Sequence, residues 1–592
     1  KIFDALQAPR LPPRHFKLWL HYGPRYRTGR WDEVADYMAK AGFNAIQSLE
    51  SATFNRELQT RGFYLIHQRS GSYQRVYEND FFDCLAMGPA WFGKVPGAER
   101  TAARLRTADA TLLDFEPGPA GRITEFRDYP WLLTRFRQRN QLPAETELTE
   151  QTIREKYLQQ WIEMRQDLAA QVVRNWATYC RSVNPEIDTI LCQGTTSDLT
   201  SNIDYARYAD QVTYVDPMNF TSARSLQEMK RWMARSPQAR FTGCQNVSAG
   251  GYRNLFVADQ DMMLQTLGAA LIGCKGTSFY AGWALDAATF VQLNRVMTFL
   301  AEHQQALFAG VPDPGNLLIT PIPKQDTEIR LGSGKIIRNR YPDWDQDAIL
   351  RSYQRTDSNS WLSVVCNRHR QEPCFVKLTA ALPAGRWLLV DREHQEIFTK
   401  AGQAEFSSQD LAAGLYLKTP AYDYRGYSLE PAGNAIAAEF QKFRPIELEP
   451  LHQEALAYTE STTSLAPNTV PGDLRLRFDD FNGDNQFEYL VESPDQQVWV
   501  SRSGTLLKWK LGDTELRTRE TGLCRDMLWQ PASERANREL DSVMRLVDQR
   551  IHEQGVDLVF QRSVALHSLG GGVTLLMNKT YSFGRQPGRV HV

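Results

Sequence analysis

Features typical of nucleic-acid-binding, redox and membrane proteins are missing from this sequence. The net charge is −1 with both signs interspersed, so no basic stripe is available to bind a phosphate backbone. No segment approaches the roughly 18 consecutive apolar residues of a membrane span. None of the eight cysteines forms a C-x-x-C pair, which argues against a zinc ribbon or a dithiol redox motif. We therefore expect no nucleic-acid partner and no membrane span.

At 592 residues the chain is too long for one hydrophobic core, and we expect two to four domains. Cys192, Cys244 and Cys274 lie in or just before apolar, strand-like runs, so we expect buried free thiols rather than disulfides. The chain begins at Lys1 without an apolar leader, and we interpret it as a mature or trimmed product. A periplasmic or secreted location is favoured, and the oligomeric state is left open.

Residues 1–310 alternate between strand-like and helical patterns, which predicts parallel βα units. The strands are predicted at 16–22, 43–48, 63–67, 110–116, 188–193, 212–220, 240–245 and 276–283. Helices are predicted at 31–41, about 53–61, 97–107, about 150–183 and about 287–307, with a long aromatic loop reaching to about residue 95. This order and length predict an α/β fold, a (β/α)8 TIM barrel.

The active site of such a barrel lies at the carboxyl ends of its strands. The residues predicted to lie there are polar or aromatic, without a histidine cluster or a glycine-rich phosphate loop, which indicates a carbohydrate site. The predicted substrate-binding residues are Trp283, Tyr280, Tyr214, His21, His67, Gln193, Asn219, Gln245 and Asp286. For His21 and His67 a hydrogen-bonded lining role is the alternative, and for Trp283 the alternative is barrel packing.

Two carboxylates end the fourth predicted strand. Asp114 and Glu116 are two residues apart, so they share one face of a strand with roughly 6.6 Å between Cα atoms. Crowding raises one carboxyl pKa, and a protonated carboxyl can donate a proton to a leaving glycosidic oxygen. We predict Glu116 as the general acid with Asp114 assisting. The alternative is that both acids cap the following loop or pair with Arg122 or Arg127.

The segment Asp109-Ala-Thr-Leu-Leu-Asp114-Phe-Glu116 resembles the D-x-x-D-x-D-x-E motif of family 18 chitinases and endoglycosidases, with Leu112 at the middle Asp. Strand eight, ending in Tyr280-Ala-Gly-Trp283, is similar to the last strand of that family. The resemblance implies a catalytic acid at Glu116, a helper at Asp114 and a sugar platform at Trp283. Strand six reads Tyr214-Val-Asp216-Pro-Met-Asn-Phe and departs from the family's M-x-Y-D, which leaves substrate-assisted cleavage open.

Asp216 is the second candidate carboxylate, as nucleophile or base, with an Asp-Pro turn at the strand end as its alternative. Strand seven offers Gln245 but no glutamate, which disfavours a nucleophile there. Trp91 and Phe92 are interpreted either as a sugar-binding wall or as loop packing.

After residue 310 the helical periodicity stops, and a β-sandwich is predicted for 311–431. A helix and linker follow at 432–469, then a second β-sandwich at 470–592. The stretch 474–488 with Arg525-Asp-Met-Leu-Trp529 is similar to the C-terminal β-sandwich of family 57 amylases and 4-α-glucanotransferases. Asp480, Asn482 and Asp484 have the spacing of a Ca²⁺ loop, with an Asx-rich hairpin turn as the alternative. No other cofactor or metal is expected.

Together these patterns predict a glycoside hydrolase acting on the O-glycosidic bonds of an oligo- or polysaccharide. A transglycosylase with the same site and a non-catalytic carbohydrate-binding barrel are the alternatives.

Overall fold

The computed structural model describes most of the chain in separate segments. These are residues 5–21, 31–47, 52–68, 80–115, 123–194, 204–219, 222–246, 259–280, 287–323, 327–330, 336–339, 344–369, 372–433, 438–460, 468–470, 474–479, 488–501, 506–517, 545–552, 555–566, 573–584 and 590–591. They form two compact units, residues 1–246 with 272–283, and residues 247–271 with 284–592. Among the described helices, none has the length and apolarity needed to span a membrane.

The described residues of the first unit form one sheet of eight parallel strands. They are β1 Lys17–His21, β2 Ala45–Gln47, β3 Tyr64–Gln68, β4 Ala110–Asp114, β5 Asp188–Gly194, β6 Tyr214–Asn219, β7 Cys244–Asn246 and β8 Gly276–Tyr280. Their order is β1-β8-β7-β6-β5-β4-β3-β2, as in a barrel opened between β1 and β2. Within the described segments no ladder joins β1 to β2, although the Asn44 N–H donates to the Leu18 carbonyl at 3.3 Å. The parallel eight-stranded sheet is therefore present, and ladder closure into a barrel stays a prediction.

A glycine allows β1 and β8 to pair. Gly276 lies opposite Lys17, and a Cβ at Gly276 would be 2.6 Å from the Lys17 carbonyl oxygen. One face of the sheet buries a core that includes Trp19, Ile66 and Leu112. Because strand side chains alternate between faces, every second residue of each strand points toward this core.

The first unit contains the predicted helices and others that were not predicted, in the residues that the structure describes. They are α1 Trp31–Lys40, α2 Ala52–Thr60, α3 Asp80–Met87, α4 Ala98–Leu105, α5 Trp131–Arg139, α6 Glu150–Lys156, α7 Leu158–Val183 and α8 Ser222–Arg235. From residue 80 onward the predicted long loop is wrong, because α3 and a 3-10 helix at Gly88–Gly93 occupy that part of the chain. Residues 69–79 of the predicted loop lie outside the described residues. Trp91 and Phe92 are buried, and Phe92 stacks on Tyr179, which supports packing for these two side chains.

The second unit begins with helices α9 Asp259–Leu271, α10 Ala287–Glu302 and α11 Gln304–Ala309. Helix α10 is fixed to the strands that follow it in this unit. The Arg295 guanidinium bonds to Glu393 and, at 2.9 Å, to Asp423, and it lies over the Tyr424 ring. Gly426 packs against Phe299, since a Cβ there would be 2.5 Å from that ring.

Between residues 311 and 447, the part of the chain that the structure describes forms two sheets and a hairpin. The strands are β9 Val311–Pro312, β10 Leu317–Pro321, β11 Thr327–Arg330, β12 Ile336–Asn339, β13 Ala348–Gln354, β14 Trp361–Asn367, β15 Cys374–Ala380, β16 Arg386–Asp391, β17 Glu396–Thr399, β18 Glu405–Ser407, β19 Leu415–Thr419, β20 Asp423–Pro431 and β21 Arg444–Glu447. The larger sheet has the order β21-β17-β16-β20-β14-β13-β9, with β18 beside β16, and the smaller has the order β10-β15-β19. Strands β11 and β12 form the hairpin.

The two sheets share one hydrophobic core. Trp361 and Leu389 from the larger sheet and Val376 and Leu417 from the smaller sheet belong to it. Short helices α12 Trp344–Asp347 and α13 Ser408–Ala413 and the longer α14 Leu448–Glu460 complete this region. Two sheets that bury one core are compatible with the β-sandwich predicted at 311–431, which stays a prediction.

Two further sheets are described in the C-terminal region, from residue 468 onward. One has the order β22-β23-β24-β25-β26-β27, formed by Asn468–Val470, Leu474–Asp479, Glu488–Ser493, Gln496–Ser501, Leu506–Leu511 and Thr514–Arg517. The other has the order β28-β29-β30-β31, formed by Arg545–His552, Gly555–Leu566, Val573–Gly584 and Val590–His591. Both contribute to one core through residues such as Val491 and Phe560. The predicted Ca²⁺ ligands Asp480, Asn482 and Asp484 lie outside the described residues, and the domain boundaries stay predictions.

Candidate active site

Asp114 is the last residue of β4 and is half-buried. It follows Ala110 and Leu112 at two-residue intervals, and both belong to the core on one face of the sheet, so Asp114 points to that face. Arg127, a predicted alternative partner, bonds to Glu150 at 2.8 Å. Glu116, Trp283 and Asp286 lie outside the described residues, as does Arg122.

Strand register aligns Asp114 with a second carboxylate. Asp114 pairs with Cys192 of β5, and Cys192 pairs with Asp216 of β6. Register partners in parallel strands face the same side, so the three side chains form a row across the sheet. Two strand spacings place the Asp114 and Asp216 Cα atoms about 10 Å apart. The pairing continues beyond Asp114, because the Phe115 N–H donates to the Cys192 carbonyl at 2.8 Å.

Asp216 has no exposed surface and accepts hydrogen bonds at both oxygens. Thr242 donates its hydroxyl to Oδ1 at 2.7 Å. Ser278 Oγ lies 3.2 Å from Oδ2, and His21 Nε2 lies 3.3 Å from the same oxygen. The predicted alternative of an Asp-Pro turn is wrong, because β6 continues through Pro217, which pairs with Gln193, to Asn219.

His21, Ser278 and Asp216 meet, but they do not form a nucleophilic relay. His21 Nε2 is 2.9 Å from Ser278 Oγ and 3.3 Å from the Asp216 carboxylate. A serine-histidine-aspartate relay needs the two contacts on opposite ring nitrogens, whereas here both use Nε2. The cluster is therefore a hydrogen-bond network in the sheet interior.

The same location contains atoms that could coordinate a cation. His21, Cys192 and Asp216 are buried, and one potential ligand atom from each lies within 4.8 Å of the others. Imidazole, thiolate and carboxylate are ligands that suit zinc. In the structure the His21 and Asp216 atoms bond to each other and to Ser278.

Tyr214 lies at the opposite ends of the strands from His21. Its hydroxyl accepts a hydrogen bond from Lys17 Nζ at 2.9 Å, and Lys17 and Tyr214 are the first residues of β1 and β6. Tyr64, the first residue of β3, donates to Asp188, the first residue of β5. Burial lowers the pKa of Lys17 to about 8, and burial raises the pKa of Tyr64. Amino-end residues of this kind stabilise the fold, so Tyr214 is not brought to the candidate site.

Of the remaining predicted substrate-binding residues, one points to the other face of the sheet and the rest lie near the carboxyl ends of their strands. His67 is buried and pairs with Thr111, which alternates with the core-facing Ala110 and Leu112, so His67 points to the other face of the sheet. Tyr280 pairs with His21, and Asn219 pairs with Gln245, at the carboxyl ends of their strands. The backbones of Tyr280, Asn219, Gln245 and Gln193 therefore lie at the carboxyl edge of the sheet, where the active site is predicted.

Sequence reasoning missed Ser278 and Thr242. Ser278 lies two residues before Tyr280 on β8, and Thr242 lies just before β7. Counting alternate residues on those predicted strands would have placed both hydroxyls on the same face as Asp216.

No family model matches this sequence, and no curated protein does. Solved structures that it resembles are glycoside hydrolases. Alpha-L-fucosidase isoenzyme 2 from Paenibacillus thiaminolyticus has a TM-score of 0.42 at 8% identity, covering 71% of this chain and 100% of that chain. A beta-galactosidase from Marinomonas ef1 has a TM-score of 0.35 at 12% identity, covering 49% of this chain and 59% of that one, less than two thirds of its length. A chitinase from Chromobacterium violaceum has a TM-score of 0.30 at 10% identity, covering 48% and 99%.

Proposed function

We propose that this protein is a (β/α)8-barrel glycoside hydrolase that cleaves an oligo- or polysaccharide, with Glu116 as general acid and Asp114 assisting it. The observation that carries the proposal is the position of Asp114. It ends β4 on the core-facing side, at the carboxyl edge where barrels of this class perform their chemistry. Because strand pairing continues through Phe115, we expect Glu116 to face the same side as Asp114.

In the proposed reaction the Glu116 carboxyl protonates the leaving glycosidic oxygen as the bond to the anomeric carbon breaks, and the oxygen of a water molecule forms the new bond to that carbon. The proton that this water loses restores the protonated Glu116, so the net reaction is hydrolysis. Asp114 shares a proton with Glu116 or holds a substrate group. A neighbouring carboxylate raises the tendency of Glu116 to remain protonated near neutral pH. Trp283, three residues after the described end of β8, would supply a flat apolar surface for a sugar ring. No metal is needed for these steps.

We assign Asp216 to support of the site rather than to bond cleavage. A catalytic carboxylate must touch the substrate, whereas Asp216 is fully buried and both of its oxygens are bonded. Through Ser278 it is linked to the middle of β8, two residues before Tyr280. Loss of this network would therefore disturb the strand ends that carry the proposed sugar contacts.

The proposal is tested by the release of reducing ends from a panel of chitin, de-N-acetylated glucosamine polymers, α-glucans and β-glucans. We expect the wild type to cleave at least one polymer and Glu116→Gln to cleave it roughly 10²- to 10⁴-fold more slowly while still binding it. Asp109→Asn is the matched control. Asp109 precedes β4 and accepts the Leu65 N–H at 2.7 Å, remote from the carboxyl edge. Wild-type activity in Glu116→Gln would refute the assignment, and binding without cleavage by the wild type would favour a carbohydrate-binding barrel.

A further inference from the structure

A polar cleft lies beside the helices of the first unit, and all the residues that line it belong to that unit. Its volume is about 610 Å³, within the range of about 300–1,000 Å³ for small-molecule pockets. Helices α5 and α7 form part of its wall, and the segment 206–211 and Gln238 form the rest. Because that segment leads directly into the first residue of β6, the cleft lies toward the amino ends of the strands, away from the predicted active site.

Two arginines of the lining pair only with side-chain amides among the described residues. Arg135 Nη2 donates to Gln171 Oε1 at 3.1 Å. Arg174 Nε donates to Gln211 Oε1 at 2.8 Å. Arg135 is half-buried and Arg174 is exposed, so both side chains have accessible surface in the cleft. Because a guanidinium group has five N–H donors, each of these arginines keeps most of its donors and its full charge for a ligand.

The carboxylates of the lining do not neutralise these two arginines. Asp167 pairs with Arg139 at 2.8 Å and with Arg207. Asp210 is exposed and accepts a hydrogen bond from the Gln211 amide at 2.6 Å. Three arginines and two aspartates line the cleft, so its lining carries a net charge of +1. The lining therefore favours an anionic ligand.

Neighbouring amides hold the two guanidinium groups in place and add donors of their own. Gln171 and Arg174 are three residues apart on α7, so their side chains are neighbours on one face of the helix. Gln171 Oε1 is occupied by Arg135, and the amide nitrogen of Gln171 has no partner among the described residues. Gln211, which orients Arg174, is itself fixed because Arg181 Nη2 donates to its carbonyl at 3.0 Å. The Gln171 amide and both guanidinium groups are therefore positioned donors in one cleft.

We propose that this cleft is a second binding site that takes an oxyanion, a carboxylate or phosphate group, with Arg135 and Arg174 as its charged contacts. Both groups present two oxygens to the paired N–H donors of a guanidinium, and they bind it through charge-assisted hydrogen bonds. A cation would be repelled by these two arginines, and a neutral ligand would gain no ionic attraction from them. The cleft is larger than either anionic group alone, so it also has room for the organic molecule that carries the group. The site does not depend on Glu116 or on cleavage of a polysaccharide.

The test uses the full chain with inorganic phosphate, glucose 6-phosphate and glucuronate as anionic probes and glucose as the neutral probe. The two sugar derivatives carry the anionic group on the ring that glucose also has, so the comparison isolates the charge. Calorimetry at low salt gives the affinity, and hydrogen exchange of peptides covering 131–139 and 204–211 locates the binding. We expect at least one anion to bind and protect both peptides, glucose to protect neither, and Arg135→Gln and Arg174→Gln each to weaken the anion about tenfold. Binding of the phosphates alone would assign a phosphate ligand, and binding of glucuronate alone would assign a carboxylate.

Arg154→Gln is the matched control, because Arg154 pairs with Glu150 at 3.0 Å and does not line the cleft. It should bind the anions as the wild type does. Absence of binding by all three anions would overturn the proposal, and so would equal affinity in the wild type and both lining variants. Protection by glucose equal to that by the anions would overturn the assigned ligand class. Anion binding should be unchanged in Glu116→Gln, so failure of the Glu116 assignment is read separately.

Discussion

Replacement of Asp216 by asparagine should destabilise the first unit. The expected loss of unfolding free energy follows from the hydrogen bonds of the carboxylate. Asparagine keeps an oxygen for Thr242, which donates at 2.7 Å, and can turn its amide toward the Ser278 hydroxyl. The contact with His21 Nε2 at 3.3 Å loses its charge assistance. A hydrogen bond to a charged group contributes about 1.5–3 kcal/mol, so we expect Asp216→Asn to lower the free energy of unfolding by about 2 kcal/mol.

Asp216→Leu should have a larger effect, because His21, Thr242 and Ser278 would each lose one of their buried hydrogen-bond partners. Removing one member of a buried charged network typically costs about 3–5 kcal/mol. Thr242→Val is the graded control, since it removes a single donor and should cost about 1–2 kcal/mol. The assay is urea denaturation combined with hydrogen exchange of peptides covering 17–21 and 214–219. These peptides should exchange faster in the order Thr242→Val, Asp216→Asn, Asp216→Leu.

The opposite pattern would refute this reasoning. If Asp216→Asn unfolds at the wild-type urea concentration, keeps wild-type exchange and loses polysaccharide cleavage, Asp216 contacts the substrate and the support role is wrong. Retention of stability in both Asp216 variants would show that the buried network contributes little to folding.

Two further predictions concern single positions. The pKa of His303 is lowered by burial from about 6.5 to about 4, so the unfolded chain takes up a proton in this interval that the folded chain excludes. Stability should fall as the pH decreases from about 6.5 to about 4, by up to about 3 kcal/mol from this group, and His303→Leu should reduce that fall in melting experiments at pH 7 and pH 5. An unchanged fall would contradict the buried neutral imidazole. Gly276→Ala should destabilise the β1–β8 pairing by about 1–3 kcal/mol or more, since its Cβ would lie 2.6 Å from the Lys17 carbonyl oxygen. Gly315→Ala is the control, because a Cβ there meets nothing within 4 Å, and it should leave the melting temperature unchanged. Equal melting temperatures for both alanine variants would contradict the close approach.

Hydrophobic pattern alone predicted the eight strands of the first unit, because strands buried on both faces are near-continuous apolar runs. Lys17–His21 and Asp188–Gly194 lie within one residue of their predicted bounds at each end. The α3 helix was predicted as loop because its apolar residues, such as Phe81 and Phe82, also fit an aromatic loop. Helix α5 at Trp131–Arg139 was missed, since arginine-rich polar positions obscure its periodicity.

The sequence allowed residues to be assigned to strands of the candidate site. It did not show at which end of a strand a residue lies, which face of the sheet it points to, or which side chains of distant strands it contacts. Tyr214 was predicted to lie at the candidate site. In the structure it is the first residue of β6, and it bonds to Lys17 at the amino ends of the strands. His67 was predicted as a substrate-binding residue without considering which face of the sheet it points to. It follows the core-facing Ile66 on β3, so it points to the other face. The network around Asp216 depends on contacts between strands far apart in sequence, such as Ser278 with Asp216, which pattern analysis of one strand cannot reveal.

The central claim, that Glu116 is a general acid, is tested most directly by leaving-group dependence. Wild type and Glu116→Gln are compared on an unactivated oligosaccharide and on an aryl glycoside of the same sugar whose phenol leaves without a proton. The account predicts a loss of roughly 10²- to 10⁴-fold for the oligosaccharide and a loss of less than about tenfold for the aryl glycoside, because only the first needs the acid. An equal loss on both substrates, or no loss on either, would contradict it.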